Sequence, residues 1–327
     1  MTVYLDANAT EILRDGALAA VLDAVRLAGN PSSVHGPGRE ARRLLEAARE
    51  TVGRFWKAGP EQVVFTSGGT EANALAIHAF GEGRRLLIGA TEHDAVRLAS
   101  RDHDVLPVLP DGSLCLQALE TALQQDGPAL VCAMAANNET GILHPIESIR
   151  ILCAQYGALL HVDAVQVAGR HVAGEARLTV EGLTSLAISG HKAGGIKGAG
   201  ALVLGAEGHV APMLRGGGQE RGRRGGTQAL PAIAPWRLRS TCQPHRTGRP
   251  SPLCVTVSME QPSLAEHDNG RRPWPAPAQY DIADPAWCLG SDAAHDARPC
   301  GVCGLDRLGL FVGQGIGVPC ASGHGSG

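Results

Sequence analysis

Hydrophobic and polar positions follow two different spacings along the first 234 residues. The segments DGALAAVLDAVRLA and GREARRLLEAARETVGRFW carry apolar residues at the spacing of amphipathic helices. Shorter apolar runs lie between such segments: QVVFTSG, RRLLIGAT, PALVCAMA, GALLHVDAVQ and SLAISGHK. Strands that alternate with helices predict an α/β fold in which a mostly parallel sheet has helices on both faces.

Polar residues follow the predicted strands at their carboxyl ends. They are Ser67, His93, Asn138, Asp163 and His191. In folds of this class, ligands bind beyond the carboxyl ends of the strands. We therefore expect these side chains to share one site.

The pattern changes near residue 235, which predicts two parts, 1–234 and 235–327. The last 93 residues hold 11 of the 20 prolines, three of the four tryptophans and six of the nine cysteines. An irregular tail is one explanation, but disordered segments are poor in aromatic residues. We hypothesise instead that the reading frame shifts near residue 235, because a misread GC-rich gene yields such a composition.

Charge and apolar runs limit the function classes. The net charge of −3 gives no basic field for nucleic acid or an anionic membrane. The segment MTVYLDANAT lacks the pattern of a signal peptide, and PALVCAMAA is too short to span a bilayer. We expect a cytoplasmic protein whose cysteines are reduced.

Lysine is rare in this chain, with three lysines among 29 basic residues. Two of them, Lys192 and Lys197, lie in the glycine-rich loop SGHKAGGIKGAG. A lysine amine can lose its proton and attack a carbonyl, which an arginine cannot do. Lys192 is therefore a candidate reactive amine, and a solvated loop lysine is the alternative.

Two further segments suggest binding groups. In FTSGGTEANALAIHAF, a strand ends at Thr66 and a helix begins near Thr70 or Glu71. Its free N–H groups and the Thr70 hydroxyl predict a phosphate site, or simply a capped helix. In HVDAVQ, Asp163 ends a strand; it is a helix cap, a surface-turn residue or the partner of a protonated pyridine nitrogen.

A phosphate site, a carboxylate for a ring nitrogen and a reactive lysine are what pyridoxal 5'-phosphate (PLP) requires. Residues 1–234 resemble the cysteine desulfurases of the NifS/IscS type, in the class V aminotransferase group of fold-type I PLP enzymes. Eight motifs carry the resemblance in the family order: YLDANAT, GNPSSVHGPGREAR, VVFTSGGTEANALAI, TEHDAV, NNETGILHPI, HVDAVQVAG, SGHKAGGIKGAGAL and GGGQERGRRGGT. The family fold has a large PLP-binding domain with a seven-stranded sheet.

The resemblance implies roles around the cofactor ring. Lys192 matches the Schiff-base lysine. Asp163 and Gln166 match the residues that hold the ring nitrogen and the ring hydroxyl oxygen. His93 matches the histidine that stacks on the ring and assists proton transfer, and Asn138 matches a contact to cofactor and substrate.

It also implies the phosphate contacts and a homodimer. Gly69, Thr70, Ser189 and His191 match residues that contact the phosphate. Thr227 matches a threonine that reaches the phosphate from the other subunit, so the expected unit is a homodimer. No metal site is predicted, since Cys-x-x-Cys at 300–303 has no second pair.

The family's small domain, with its nucleophilic cysteine and carboxylate-binding arginine, is missing or altered after residue 234. Cys320, in PCASGHGSG, resembles the family's Cys-x-Ser-Gly and is the candidate nucleophile.

The implied reaction converts L-cysteine to L-alanine and passes persulfide sulfur to an acceptor or an iron–sulfur scaffold protein, for cluster assembly or thiolation. Two alternatives stay open. One is selenocysteine lyase or another class V PLP enzyme, and the other is an inactive, frameshifted remnant that binds PLP.

Overall fold

The computed structural model describes residues 4–170, 178–206 and 210–238. These residues belong to one compact unit of the chain, within Met1–Gln261. Over these three ranges, no helix is both long and apolar enough to cross a membrane.

Seven strands form one sheet in the order β1-β7-β6-β5-β4-β2-β3. Their bounds are β1 Val63–Thr66, β2 Arg85–Gly89, β3 Asp104–Leu106, β4 Ala129–Met134, β5 Leu159–Asp163, β6 Ser185–Ser189 and β7 Gly200–Leu204. Strands β2 to β6 pair in parallel, whereas β7 is antiparallel to both β6 and β1. Strand β1 therefore runs in the same direction as β6.

Seven α-helices accompany the sheet in the described ranges. Their bounds are α1 Asp15–Val25, α2 Gly36–Trp56, α3 Gly69–Phe80, α4 Asp94–Arg97, α5 Leu116–Leu123, α6 Ile146–Gln155 and α7 Leu230–Ile233. Helix α2 illustrates why the predicted spacing works, because its apolar stripe from Ala41 to Trp56 is buried while its arginines are mostly exposed.

The strands bury both faces, since alternate side chains point in opposite directions. Val63 and Phe65 of β1 join a core cluster with α1, α2, α5 and α6, whereas Val64 joins a second cluster with α3. Helices therefore cover both faces of a mostly parallel sheet. The predicted α/β fold is confirmed, and α3 begins at Gly69, one residue earlier than expected.

The described structure continues to Leu238. Trp236 is buried and packs edge-to-face on Phe65, with ring centroids 6.0 Å apart. Residues 239–327, which include Cys300, Cys303 and Cys320, lie outside the described residues. The division into 1–234 and 235–327 stays a prediction.

Candidate functional site

Six strands end at one edge of the sheet, because β1 and β2 to β6 run in the same direction. The polar residues that were predicted to follow strands lie at or shortly after these ends: Ser67, His93, Asn138, Asp163 and His191. Sequence reasoning placed them there from the strand pattern alone, and the topology brings the ends together.

Asp163 ends β5 and is buried. The backbone N–H of Val165 donates to Oδ1 at 2.9 Å, and Asn73 Nδ2 donates to Oδ2 at 2.7 Å. Burial raises the pKa of Asp163, while these two donors and the charges of His93 and Lys192 oppose the rise. The site therefore holds a buried carboxyl group whose surroundings partly compensate its charge.

Lys192 follows β6 in a short 3₁₀ turn, Gly190–Lys192, and is half-buried. Burial lowers the pKa of its amine, and the charge of Arg170 lowers it further, whereas Asp163 and Asp6 raise it. The amine therefore loses its proton more readily than an ordinary lysine, as a nucleophile requires.

This pKa predicts how attachment of PLP depends on pH. We expect the rate at which the cofactor-free chain takes up PLP to rise with pH, with a midpoint below the ordinary lysine value of 10.5, since the neutral amine attacks. Stopped-flow absorbance measures it. Asp163→Asn should move the midpoint lower, because the carboxylate stabilises the ammonium. A wild-type midpoint at or above 10.5 would contradict the assignment.

Helix α3 directs its N-terminus to the same edge. Its first residue, Gly69, lies so close to the ends of β5 and β6 that a Cβ atom would stand 2.7 Å from Val165 Cγ2 and 3.5 Å from Ser189 Cβ. Thr70 is exposed beside it, and no side chain caps the helix. Unpaired N–H groups at the start of a 12-residue helix suit an anion such as phosphate.

A matched pair of variants tests the packing of this helix start. Gly69→Ala should lower the free energy of unfolding by about 1–3 kcal/mol, because the methyl meets the stiff side chain of Val165. Gly36→Ala is the control, since Gly36 also begins a helix but has open space at its Cβ position. Urea unfolding measures both variants, and equal stability would refute the close approach.

Residues before α1 connect several predicted site residues. Asn8 Nδ2 donates to the backbone oxygen of Asn138 at 3.0 Å, and Gln166 Nε2 donates to the backbone oxygen of Asn8 at 3.1 Å. Arg170 Nη1 donates to Asn8 Oδ1 at 2.6 Å. Asn8 therefore joins three parts of the site.

A second contact ties His191 to the same segment. Its Nδ1 lies 3.2 Å from Thr10 Oγ1, and the backbone N–H of Glu11 donates to its carbonyl at 3.0 Å. Burial and the charges of Lys192 and Lys197 lower the pKa of His191. At neutral pH the ring is therefore largely uncharged and can donate from one nitrogen.

His93 precedes α4 and caps it, because its Nδ1 accepts from the backbone N–H of Ala95 at 3.0 Å. The ring is exposed at the site edge. It is therefore free to contact a planar ligand.

Thr227 is exposed in a glycine-rich loop with two anchors. Arg224 Nε donates to Glu71 Oε1 at 2.8 Å, which ties the loop to α3. Arg49 donates twice to the buried Glu220, at 2.6 and 2.9 Å. The exposed threonine is therefore held on a fixed loop, as contact with a second subunit would require.

The described residues are complementary to PLP. Gln166 Oε1 is buried and has no hydrogen-bond partner in the described structure, so it can accept from a ring hydroxyl. Asp163 can accept from a ring N–H, the start of α3 suits the phosphate, and Lys192 offers the amine. The one candidate residue that cannot be placed is Cys320, which lies outside the described residues.

Sequence reasoning missed Asn73 and His161, which lie beside Asp163. Two signals were present. His161 precedes Asp163 by two residues in a strand, so both point to the same face, and Asn73 lies one helical turn after Thr70.

Comparison with known proteins identifies the family of this chain. The chain matches the family "Aminotransferase class-V" over residues 3–242. It is 38% identical over 241 residues to an IscS-like cysteine desulfurase of Mycobacterium tuberculosis, a match that covers 68% of this chain and 61% of the relative. It is 41% identical over 247 residues to a cysteine desulfurase of Cereibacter sphaeroides, covering 71% and 62%.

A solved structure is also similar to this chain. The NifS-like protein from Rickettsia africae superimposes with a TM-score of 0.69 at 33% identity, covering 74% of this chain and 68% of that one. The matches span about three fifths of the length of the two curated relatives, 61% and 62%. They confirm the resemblance of the N-terminal part, and the chain therefore belongs to the aminotransferase class-V family.

Proposed function

We propose that this chain is a PLP-dependent cysteine desulfurase, which converts L-cysteine to L-alanine and transfers the sulfur as a persulfide. The observation that carries the proposal is the meeting of a low-pKa lysine, a buried carboxyl group and an uncapped helix start at one sheet edge. Relatives with the name cysteine desulfurase support it. A further structural neighbour, 30% identical with a TM-score of 0.67, is described as SspA in complex with cysteine.

Each ring contact has a residue whose surroundings suit it. Asp163 would accept from the ring nitrogen and favour its protonated form. Gln166 and Asn138 would hold the ring oxygen and the substrate side, and His93 would stack on the ring face. When bound, PLP supplies an electron sink for bonds at the substrate Cα.

The phosphate would lie at the start of α3. Gly69 allows the close approach and Thr70 adds a hydroxyl. Ser189 and His191, at the end of β6, would donate from the other side. Thr227 of one subunit would reach the phosphate of the other, which makes the proposed unit a homodimer.

Lys192 would hold the cofactor and then move a proton at the substrate. Burial lowers the pKa of the amine, so a larger fraction of it is neutral and able to accept a proton than in an ordinary lysine. The charge of Asp163 keeps the protonated form accessible, so that the amine can return the proton.

The sulfur-accepting thiol is not Cys132 or Cys153. Both are buried in the core. Burial raises the pKa of Cys132 and raises that of Cys153 to about 12, whereas a nucleophilic cysteine must ionise. We keep Cys320 as the proposed acceptor, with a cytoplasmic scaffold or thiolation partner as the next recipient of the sulfur.

The test uses the purified full-length chain with PLP, L-cysteine and a thiol reductant. We expect a visible band of bound PLP that changes when cysteine is added, and formation of L-alanine in amino-acid analysis. Faster turnover of L-selenocysteine would favour a selenocysteine lyase. A PLP band without alanine would identify a binding remnant, and neither band nor alanine would refute the proposal.

A further inference from the structure

Four buried polar side chains form a continuous hydrogen-bonded chain beneath the site. Asn73 Nδ2 lies 2.7 Å from Asp163 Oδ2, and Asn73 Oδ1 lies 2.9 Å from His161 Nε2. His161 Nδ1 lies 2.9 Å from Ser185 Oγ. The chain crosses from β6 through β5 to α3, on the face of the sheet that α3 covers.

Burial makes the chain informative, because polar groups without partners are costly in a core. Ser185 and His161 have 0% of their surface exposed and Asn73 has 1%. Both ring nitrogens of His161 and both amide atoms of Asn73 have partners within this chain. Of the four residues, only Asp163 also lies at the candidate site.

The direction of the hydrogen bonds follows from the last member. An ionised carboxylate can only accept, so the NH₂ group of Asn73 faces Asp163 and its carbonyl oxygen faces His161. His161 must then donate from Nε2, and its Nδ1 accepts from the hydroxyl of Ser185.

The charge of His161 makes its tautomer the deciding observation. Burial lowers its pKa to about 4, although the backbone of Ser185 favours a proton on the ring. A neutral ring carries one proton, which can lie on only one nitrogen. The tautomer therefore reports the direction of the chain.

A second buried acid, Glu92, lies near Asp163 and influences which of the two carries a proton. Glu92 is buried and accepts from the backbone N–H of Met134. Burial and the charge of Asp163 raise the pKa of Glu92 well above its usual value. The pKa of Asp163 is also raised by burial, but its hydrogen-bond donors and nearby positive charges oppose that rise, so Glu92 holds its proton the more strongly of the two.

We propose that Ser185, His161 and Asn73 are positioning residues: they form a one-way hydrogen-bond relay that holds Asp163 as an ionised carboxylate oriented toward the ring nitrogen of PLP. This inference rests on the proposed function, because it assigns the relay to the cofactor named there. The opposite direction, with a proton on Asp163 and on His161 Nδ1, satisfies the same distances and is the competing arrangement.

Nitrogen NMR distinguishes the two directions. The full-length chain is prepared with ¹⁵N-labelled histidine, and the signal of His161 is assigned by its absence in His161→Gln. We expect a neutral ring with the proton on Nε2 at neutral pH. A proton on Nδ1, or a doubly protonated ring, would overturn the relay.

Affinity for PLP tests the consequence for the site. His161→Leu removes both hydrogen bonds of the ring, so that Asn73 is no longer held in place against the carboxylate of Asp163. We expect PLP to bind about tenfold more weakly or worse, because the hydrogen bond from Asn73 to this charged group is then weakened. His161→Gln keeps a donor near the Nε2 position, and its affinity should stay close to that of the wild-type chain. Equal affinities of the two variants would show that His161 only fills space.

A smaller change covers the case in which His161→Leu does not fold. Ser185→Ala removes only the first donor of the relay, and we expect PLP affinity to fall about fivefold. Unchanged affinity would overturn the proposal. If the PLP affinities of the variants follow the expected order but the wild-type chain forms no alanine, the desulfurase reaction is refuted and the relay stands. A wild-type chain that binds no PLP would refute both.

Discussion

Lys192→Ala will abolish the borohydride-reducible attachment of PLP to this chain, whereas Lys197→Ala will leave it intact. Both lysines lie in the same glycine-rich loop. Lys197 is exposed, but Lys192 is half-buried at the site edge, where burial lowers the pKa of its amine. Only Lys192 therefore combines the position with a readily available neutral amine.

Mass spectrometry of the reduced, digested chain measures the attachment. We expect the modified peptide from the wild-type chain and from Lys197→Ala, with at least a ~10³-fold lower yield from Lys192→Ala. Lys192→Arg should fail equally, because a guanidinium does not deprotonate in a protein. Modification at Lys197, or retention in Lys192→Ala, would show that the site is assigned to the wrong lysine.

Glu220→Ala will destabilise the fold by about 3–5 kcal/mol, because it removes the buried carboxylate of Arg49 and leaves its guanidinium only the partly exposed Glu46, 3.2 Å from Nε. Glu220 also accepts from the backbone N–H of Phe65 and from Gln228 Nε2, each at 2.9 Å. Burial alone would raise the pKa of Glu220, but Arg49 and these donors hold it below its usual value. Four donated hydrogen bonds are lost in this variant.

The controls separate this effect from charge and backbone strain. Glu181→Ala removes an exposed partner of Lys57 and should leave the unfolding midpoint unchanged. Glu220 adopts a left-handed conformation with φ of 50°, which alanine tolerates no better than glutamate, so backbone strain cancels. The double variant Arg49→Ala with Glu220→Ala should lose less stability than the sum of the single variants.

The sign of the pH dependence follows from the lowered pKa. The native carboxylate contributes stability that is fully present above the ordinary glutamate pKa of 4.5 and disappears as the pH falls through the lower native value. The difference between wild type and Glu220→Ala should therefore shrink in acid. Urea unfolding at neutral and acidic pH measures it, and a constant difference would contradict the pair.

The sequence predicted the fold well because its signals are local. Apolar runs located five of the seven strands and missed β3 and β7. The polar residues after the located strands, such as Asp163 and His93, could be assigned to one edge by topology alone. The Arg49–Glu220 pair could not be predicted, since 171 residues separate its members and each resembles an ordinary surface charge in the sequence. The same reason hid the contact of Asn73 with Asp163, which depends on how α3 lies on the sheet.

The packing of Trp236 has a consequence for how this protein can be shortened. Its indole lies against Gly190, where a Cβ atom would stand only 2.8 Å from the indole nitrogen, and Gly190 begins the turn that ends at Lys192. A variant that ends at residue 234 would lose this indole contact, so we expect the turn that carries Lys192 to be packed less tightly in it.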